Sequence, residues 1–276
     1  MRPIKIAVAT LLTFFIFFTQ LAYPFSECEQ FLSEPSRVEH ATIDDVLALT
    51  ALDHKAWGLL GATSSKLASR VELFPEGQFK AISDKGAIEG FLNTQKVSLK
   101  PEETLAMEEA SMGGYLDAWS FLTDNGFLKR THSRFGEGLF LVNLTTDVSH
   151  GKRHRRQIGR QLILSALKFS KEQNLRFIRG VTRVNGFAAY LQKIYPEYAT
   201  FNAETKHAIQ KSEIGTYLNS VSEGQEKDPA LGFHLREGAS IIAAIENAMI
   251  GDKDSEAWGA LISYDHRLFS DPALGP

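Results

Sequence analysis

Lys152-Arg153-His154-Arg155-Arg156-Gln157-Ile158-Gly159-Arg160 stands between an alternating run, Leu139 to Thr145, and an amphipathic one, Ile158 to Ser170. The first run alternates and contains β-branched residues, which reads as a strand. In the second, Ile158, Leu162, Ala166 and Phe169 recur at helical spacing. A basic turn therefore joins a strand to a helix start. The first N–H groups of a helix lack intrahelical acceptors and point outward, where they bind phosphate oxygens. Gly159 lets backbone approach such a group closely, and the cations attract a polyanion. Charge alone suits a solvated basic loop or a nucleic-acid patch. The strand–turn–helix setting favours a phosphate-bearing cofactor. The Walker spacing is missing, and one glycine does not make a dinucleotide fingerprint.

Working outward, strands alternate with helices. Val38 to Thr42 reads as a short strand, with Thr42 capping a helix from Ile43 and Asp44 and Asp45 in its first turn. Gln78 to Ser83 and Ala87 to Val97 read as a hairpin around Asp84-Lys85-Gly86. Glu102 to Phe121 is helical in part. Arg176 to Val181 is a strand, and Phe187 to Ile194 a helix that Pro196 ends. Asp228 to Gly238 opens another helix, and Trp258 to Tyr264 is the last strand. The alternation predicts an α/β layer fold with a mixed sheet. Asn143-Leu144-Thr145 has the pattern of a glycosylation acceptor, but its place on a core strand makes it accidental.

At 276 residues and 43% hydrophobic, the chain can bury one large core. Its net charge of -3 gives no global pull toward nucleic acid, so no nucleic-acid partner is expected. Cys28, the only cysteine, can form no intrachain disulfide, and a site of several thiolates is excluded. No metal is expected. Arg2 and Lys5 precede an apolar run from Ile6 to Tyr23, so residues 1–25 read as a signal peptide or an uncleaved membrane anchor. Either implies export, with membrane contact only through that segment. Residues 26–37 suit a linker, and the folded domain is expected over 38–276.

Leu139 to Leu167 resembles the cofactor-binding motif of the GNAT (Gcn5-related N-acetyltransferase) superfamily. There a strand splays from its neighbour, and a loop patterned Gln/Arg-x-x-Gly-x-Gly/Ala cradles the CoA pyrophosphate. His154 falls at the Gln/Arg position, Gln157 at the first glycine and Gly159 at the second. Phe74-Pro75-Glu76-Gly77-Gln78 with Gly86 to Val97, Gly180-Val181-Thr182-Arg183, and Asp228-Pro229-Ala230-Leu231-Gly232-Phe233-His234 are similar to elements of GNAT-like domains in polyketide loading modules. The same pattern occurs in GNAT domains fused to amidohydrolases. Ala257 to Tyr264 fits the closing strand.

The resemblance implies a mixed, mostly antiparallel central sheet flanked by helices, with a V-shaped splay between two middle strands. It implies acyl-CoA as co-substrate, held by His154, Arg155, Arg156, Gln157, Ile158, Gly159 and Arg160. Thr182 and His234 would be catalytic, His234 moving the proton, and Trp57 would line the substrate pocket. Tyr190 ranks below His234, because its spacing from Asn185 is unlike that of the usual tyrosine acid. The implied reaction moves an acetyl or other short acyl group to an amine, hydroxyl or carrier thiol. Ala248-Met249-Ile250 stands where the loading domains have a Tyr-Arg-Pro-like step, so a charge to hold a substrate carboxylate is absent there. The rival readings are a GNAT-shaped binding protein without catalysis and an exported effector.

Overall fold

The structure is a computed structural model that describes residues 37–107 and 115–265. The expected export segment, all of the linker but Arg37, and the last eleven residues lie outside the described residues. Among the described residues no helix is long and apolar enough to cross a membrane.

Among the described residues seven strands form one sheet: β1 (Arg37–His40), β2 (Gln78–Ile82), β3 (Ile88–Val97), β4 (Gly138–Thr146), β5 (Phe177–Arg183), β6 (Ala239–Ile245) and β7 (Gly259–Tyr264), in the order β1-β2-β3-β4-β5-β7-β6. Only β4 and β5 run parallel; every other neighbour pair is antiparallel. The mixed, mostly antiparallel sheet implied by the resemblance is present. Its helices are α1 (Val46–Trp57), α2 (Ser64–Leu73), α3 (Pro101–Met107), α4 (Ala118–Thr123), α5 (Lys152–Glu172), α6 (Phe187–Ile194), α7 (Ala203–Ser222) and α8 (Pro229–Arg236).

The sheet separates two apolar layers. On one face Leu139, Leu141 and Ile178 pack with Ile158, Leu162 and Ile163 of α5 and with Leu231 of α8. On the other, Phe140 and Val142 pack with Leu122 and Leu128, while Phe91 packs with α1 and α2. Alternation of side chains along β4 and β5 produces this division.

The splay is explicit in the register. Pairing of β4 with β5 ends at Leu141 with Gly180, although β4 continues to Thr146 and β5 to Arg183. On the other side of β4 the register slips: Asn93 pairs with Asn143 and Thr94 with Leu141, so Val142 is an extra residue. A bulge bends its strand and adds twist. It falls where β4 leaves β5.

Two differences from the sequence expectation bear on the site. The helix expected from Ile158 begins at Lys152, with Gly151 as its N-cap. Buried apolar periodicity starts only at Ile158, so the pattern hid the earlier turns. Lys, Arg and Gln are strong helix formers and extend the helix back to the glycine. The edge strand β6 and the long helix α7 were not read from the sequence. In α7 the buried residues include Gln210 and Tyr217, which weakens its apolar stripe.

Candidate functional site

The splay opens a cleft of about 1300 Å³ that passes from one face of the sheet to the other. Lys152, Arg153, Arg155, Arg156 and Gly159 of α5 line it, as do Phe233 and His234 of α8, Gly180 to Arg183 of β5 and Val142 to Leu144 of β4. Asp53, Trp57, Arg70 and Trp119 line it from the opposite face.

The basic stretch divides into residues with distinct partners. Gly151 offers no capping side chain, so the N–H groups of Lys152, Arg153 and His154 are the outward-pointing ones. The N–H of Arg155 already bonds to Gly151 O at 3.1 Å. Arg156 Nε reaches Glu237 Oε1 at 3.1 Å, and Arg160 Nε lies 3.7 Å from Glu237 Oε2. Glu237 is only 8% exposed, so these two arginines tie α5 to the end of α8. Lys152, Arg153 and Arg155 have no such acidic partner among the described residues. Arg155 Nε is shut off from solvent and makes no hydrogen bond. Of the seven residues expected to hold the cofactor, His154, Gln157, Ile158 and Arg160 are not in the cleft wall. Ile158 is fully buried core. His154 turns toward Glu89. Gly159 lines the cleft, but its close neighbour is protein: a Cβ there would stand 2.9 Å from Phe233 Cζ. The glycine admits the α8 aromatic ring against α5.

Thr182 and His234 are brought to the same face. Ile178, Gly180 and Thr182 of β5 pair with Tyr264, Ile262 and Ala260 of β7, and these six share one face by alternation. Tyr264 Oη on that face lies 2.8 Å from His234 Nδ1. Burial lowers the pKa of His234 to about 4, so the ring is neutral at physiological pH. Burial, with Glu237 nearby, pushes the Tyr264 phenol up. A buried, protonated phenol that has no other hydrogen-bond partner among the described residues donates to Nδ1. The ring hydrogen then sits on Nε2. The Thr182 hydroxyl donates weakly to Arg183 O at 3.4 Å.

Trp57 occupies the opposite face. Its Nε1 donates to Thr145 Oγ1 at 2.8 Å, and the Arg183 guanidinium lies 5.3 Å from its ring centroid. Arg183 is in turn held by Asp252, at 2.7 Å from Nε. Sequence reasoning missed Asp53, a 2% exposed carboxylate in this wall. It accepts from Asn143 Nδ2 at 2.9 Å, Thr145 Oγ1 at 2.6 Å and Ala62 N at 2.6 Å. The side chains of the glycosylation-like triplet are thus used inside the protein. Arg70 was also missed. It is fully buried, donating to Gly126 O and Asn93 Oδ1 at 2.8 Å each, and burial lowers it to about 10. Asp53 lies on α1 and Arg70 on α2, and the partners that explain their burial are remote in the chain, where local pattern does not reach. Tyr190 points away to Glu213, 3.4 Å off, and is not in the cleft wall. Ala248, Met249 and Ile250 do line the cleft, so apolar atoms stand where the resemblance lacked a charge.

No protein-family model matches the chain. It is 28% identical over 207 residues to the "Uncharacterized N-acetyltransferase YkwB" of Bacillus subtilis (strain 168), covering 75% of this chain and 76% of that protein. Among solved structures it is similar to the GphF GNAT-like decarboxylase in complex with isobutyryl-CoA, with a TM-score of 0.61 and 22% identity, over 84% of this chain and 100% of that one. It is also similar to the loading GNATL domain of CurA from Lyngbya majuscula, with a TM-score of 0.58 and 18% identity, over 84% of this chain and 98% of that one. At such identities the likeness between structures speaks for the fold.

Proposed function

We propose that this chain, which has the GNAT fold, is an acyltransferase that moves a short, uncharged acyl group from its CoA thioester to an amine, hydroxyl or carrier thiol. The observation that carries the reading is a set of unpaired cations, with Arg155 Nε shielded and unbonded, at the mouth of a cleft through the split sheet. Diphosphate oxygens would accept from Arg155 and from the N–H groups opening α5, at the positive end of its dipole. The acyl group would lie in the splay, where a backbone N–H on the unpaired edge of β4 can polarise its carbonyl.

His234, expected from the sequence to move the proton, would act here as a donor rather than as a base. A ring that protonates only near 4 is a weak base at neutral pH. With Nδ1 occupied by Tyr264, Nε2–H is a donor for the thioester oxygen or the departing sulfur. A neutral imidazole acting as electrophile has precedent in enzyme chemistry. The acceptor would enter from the opposite face, past Trp57 and Asp53. Apolar Ala248, Met249 and Ile250 favour an uncharged acyl chain over a carboxylated one. Export through residues 1–25 is part of the same proposal.

Turnover tests the reading. Acetyl-, propionyl-, isobutyryl- and malonyl-CoA are offered with a panel of amine, hydroxyl and carrier-thiol acceptors, and release of free CoA is followed by chromatography. Release from uncharged donors that depends on an acceptor is expected. Binding of CoA without acceptor-dependent release across the panel favours a binding protein instead.

A further inference from the structure

Glu89, His150 and His154 meet outside the cleft wall, where β3 passes the start of α5. The Glu89 side chain is 11% exposed, and the two histidines are about a third exposed. His150 Nε2 lies 3.4 Å from Glu89 Oε1, and His154 Nε2 lies 3.3 Å from the same oxygen. The imidazole rings meet edge to face with centroids 4.6 Å apart. One donor atom from each of the three residues lies within 4.8 Å of the others.

These separations discriminate between two arrangements. A charge-assisted hydrogen bond between imidazolium and carboxylate closes to about 2.7–2.9 Å. Ligands about 2.0–2.2 Å from one tetrahedral ion stand about 3.3–3.6 Å from each other. Both histidine–glutamate distances fall in the second range. His154 Nε2 is also shut off from solvent and makes no hydrogen bond, and such an atom in a native protein calls for an ion or a water.

We propose that Glu89, His150 and His154 form a site for one divalent transition-metal ion of the zinc class. Two imidazoles and a carboxylate suit that class, with a fourth position open to water. The His-x-x-x-His spacing of two of the ligands is written in the sequence, which was nevertheless read as metal-free. The ion ties β3 to the turn before α5 and so fixes the outward-pointing N–H groups of that helix. It also neutralises the Glu89 carboxylate beside an anion-binding turn. The site stands on ligand geometry alone and does not depend on acyl transfer.

Equilibrium binding tests it. Protein without a histidine tag is stripped with chelator and titrated with Zn²⁺ in competition with a chromophoric chelator, then with Co²⁺ followed by visible absorption. Wild type should take up one equivalent tightly, give tetrahedral cobalt bands and melt at a higher temperature with metal. His150→Ala and Glu89→Gln should each weaken binding by at least about 100-fold and lose the metal-dependent rise in melting temperature. Circular dichroism of the metal-free proteins establishes that both variants fold. Equal affinity in wild type and both variants, or binding that survives both substitutions at other histidines, overturns the proposal.

Discussion

Replacing His234 with alanine separates its chemical part from its structural one. Folding takes the ring from an ordinary value of 6.5 down to about 4. Between those values the unfolded chain binds a proton that the folded chain refuses. Stability therefore rises with pH from about 4 to 6.5, is full above that window, and is lost as pH falls through it. A shift of this size corresponds to a ceiling of about 3 kcal/mol. The ring edge in the cleft meets water, so about 1–2 kcal/mol is the expected contribution. At neutral pH the variant also leaves the buried Tyr264 hydroxyl unpaired, which costs about 1–3 kcal/mol. The penalty of the substitution should thus shrink by about 1–2 kcal/mol between pH 7 and pH 4.5, because the variant has no ring to protonate. If Nε2–H stabilises charge in the transition state, kcat should fall about 100- to 1000-fold with CoA affinity unchanged. Urea melts across the pH series and turnover on the same samples measure both. Turnover that follows the folded fraction, with parallel pH–stability curves for the two proteins, would refute the assignment.

Arg155→Ala should weaken CoA binding by about 1.5–3 kcal/mol and flatten its salt dependence, as read by calorimetry at several ionic strengths. Arg156→Ala should act chiefly on stability, because its guanidinium serves the buried Glu237; a chemical melt distinguishes the two. Gly159→Ala puts a methyl group against Phe233 and should destabilise by about 1–3 kcal/mol, with Phe233→Leu restoring part of the loss in the double variant. Fusing Met1 to Ser36 to a reporter active only outside the cytosol should give signal, and a wholly cytosolic reporter would rule export out.

Local pattern in the chain specifies the layers around the site. Leu139 to Val142 runs apolar without a break because β4 is buried there on both faces, by different partners. Ile158, Leu162 and Ala166 mark the one stripe of α5 that touches the sheet. Asp228 and Pro229 announce the α8 start, since the side chain of Asp228 caps Leu231 N at 2.8 Å. These are local consequences of backbone period and capping, and a linear pattern carries them.

Where each charge points depends on packing. Five cations stand close together between Lys152 and Arg160, yet Arg156 and Arg160 turn to a glutamate some eighty residues away, and Arg155 has no acidic partner among the described residues. His154 faces β3 because Glu89 crosses beneath it. His234 is neutral because of its burial, and Tyr264, thirty residues on, sets which nitrogen carries the hydrogen. Asp53 joins the cleft through Asn143 and Thr145, about ninety residues distant. Such assignments depend on desolvation and on partners remote in the chain. Local periodicity has no term for either, so the pattern placed the basic stretch at a helix start while only the packed fold determined which of its residues face the cleft.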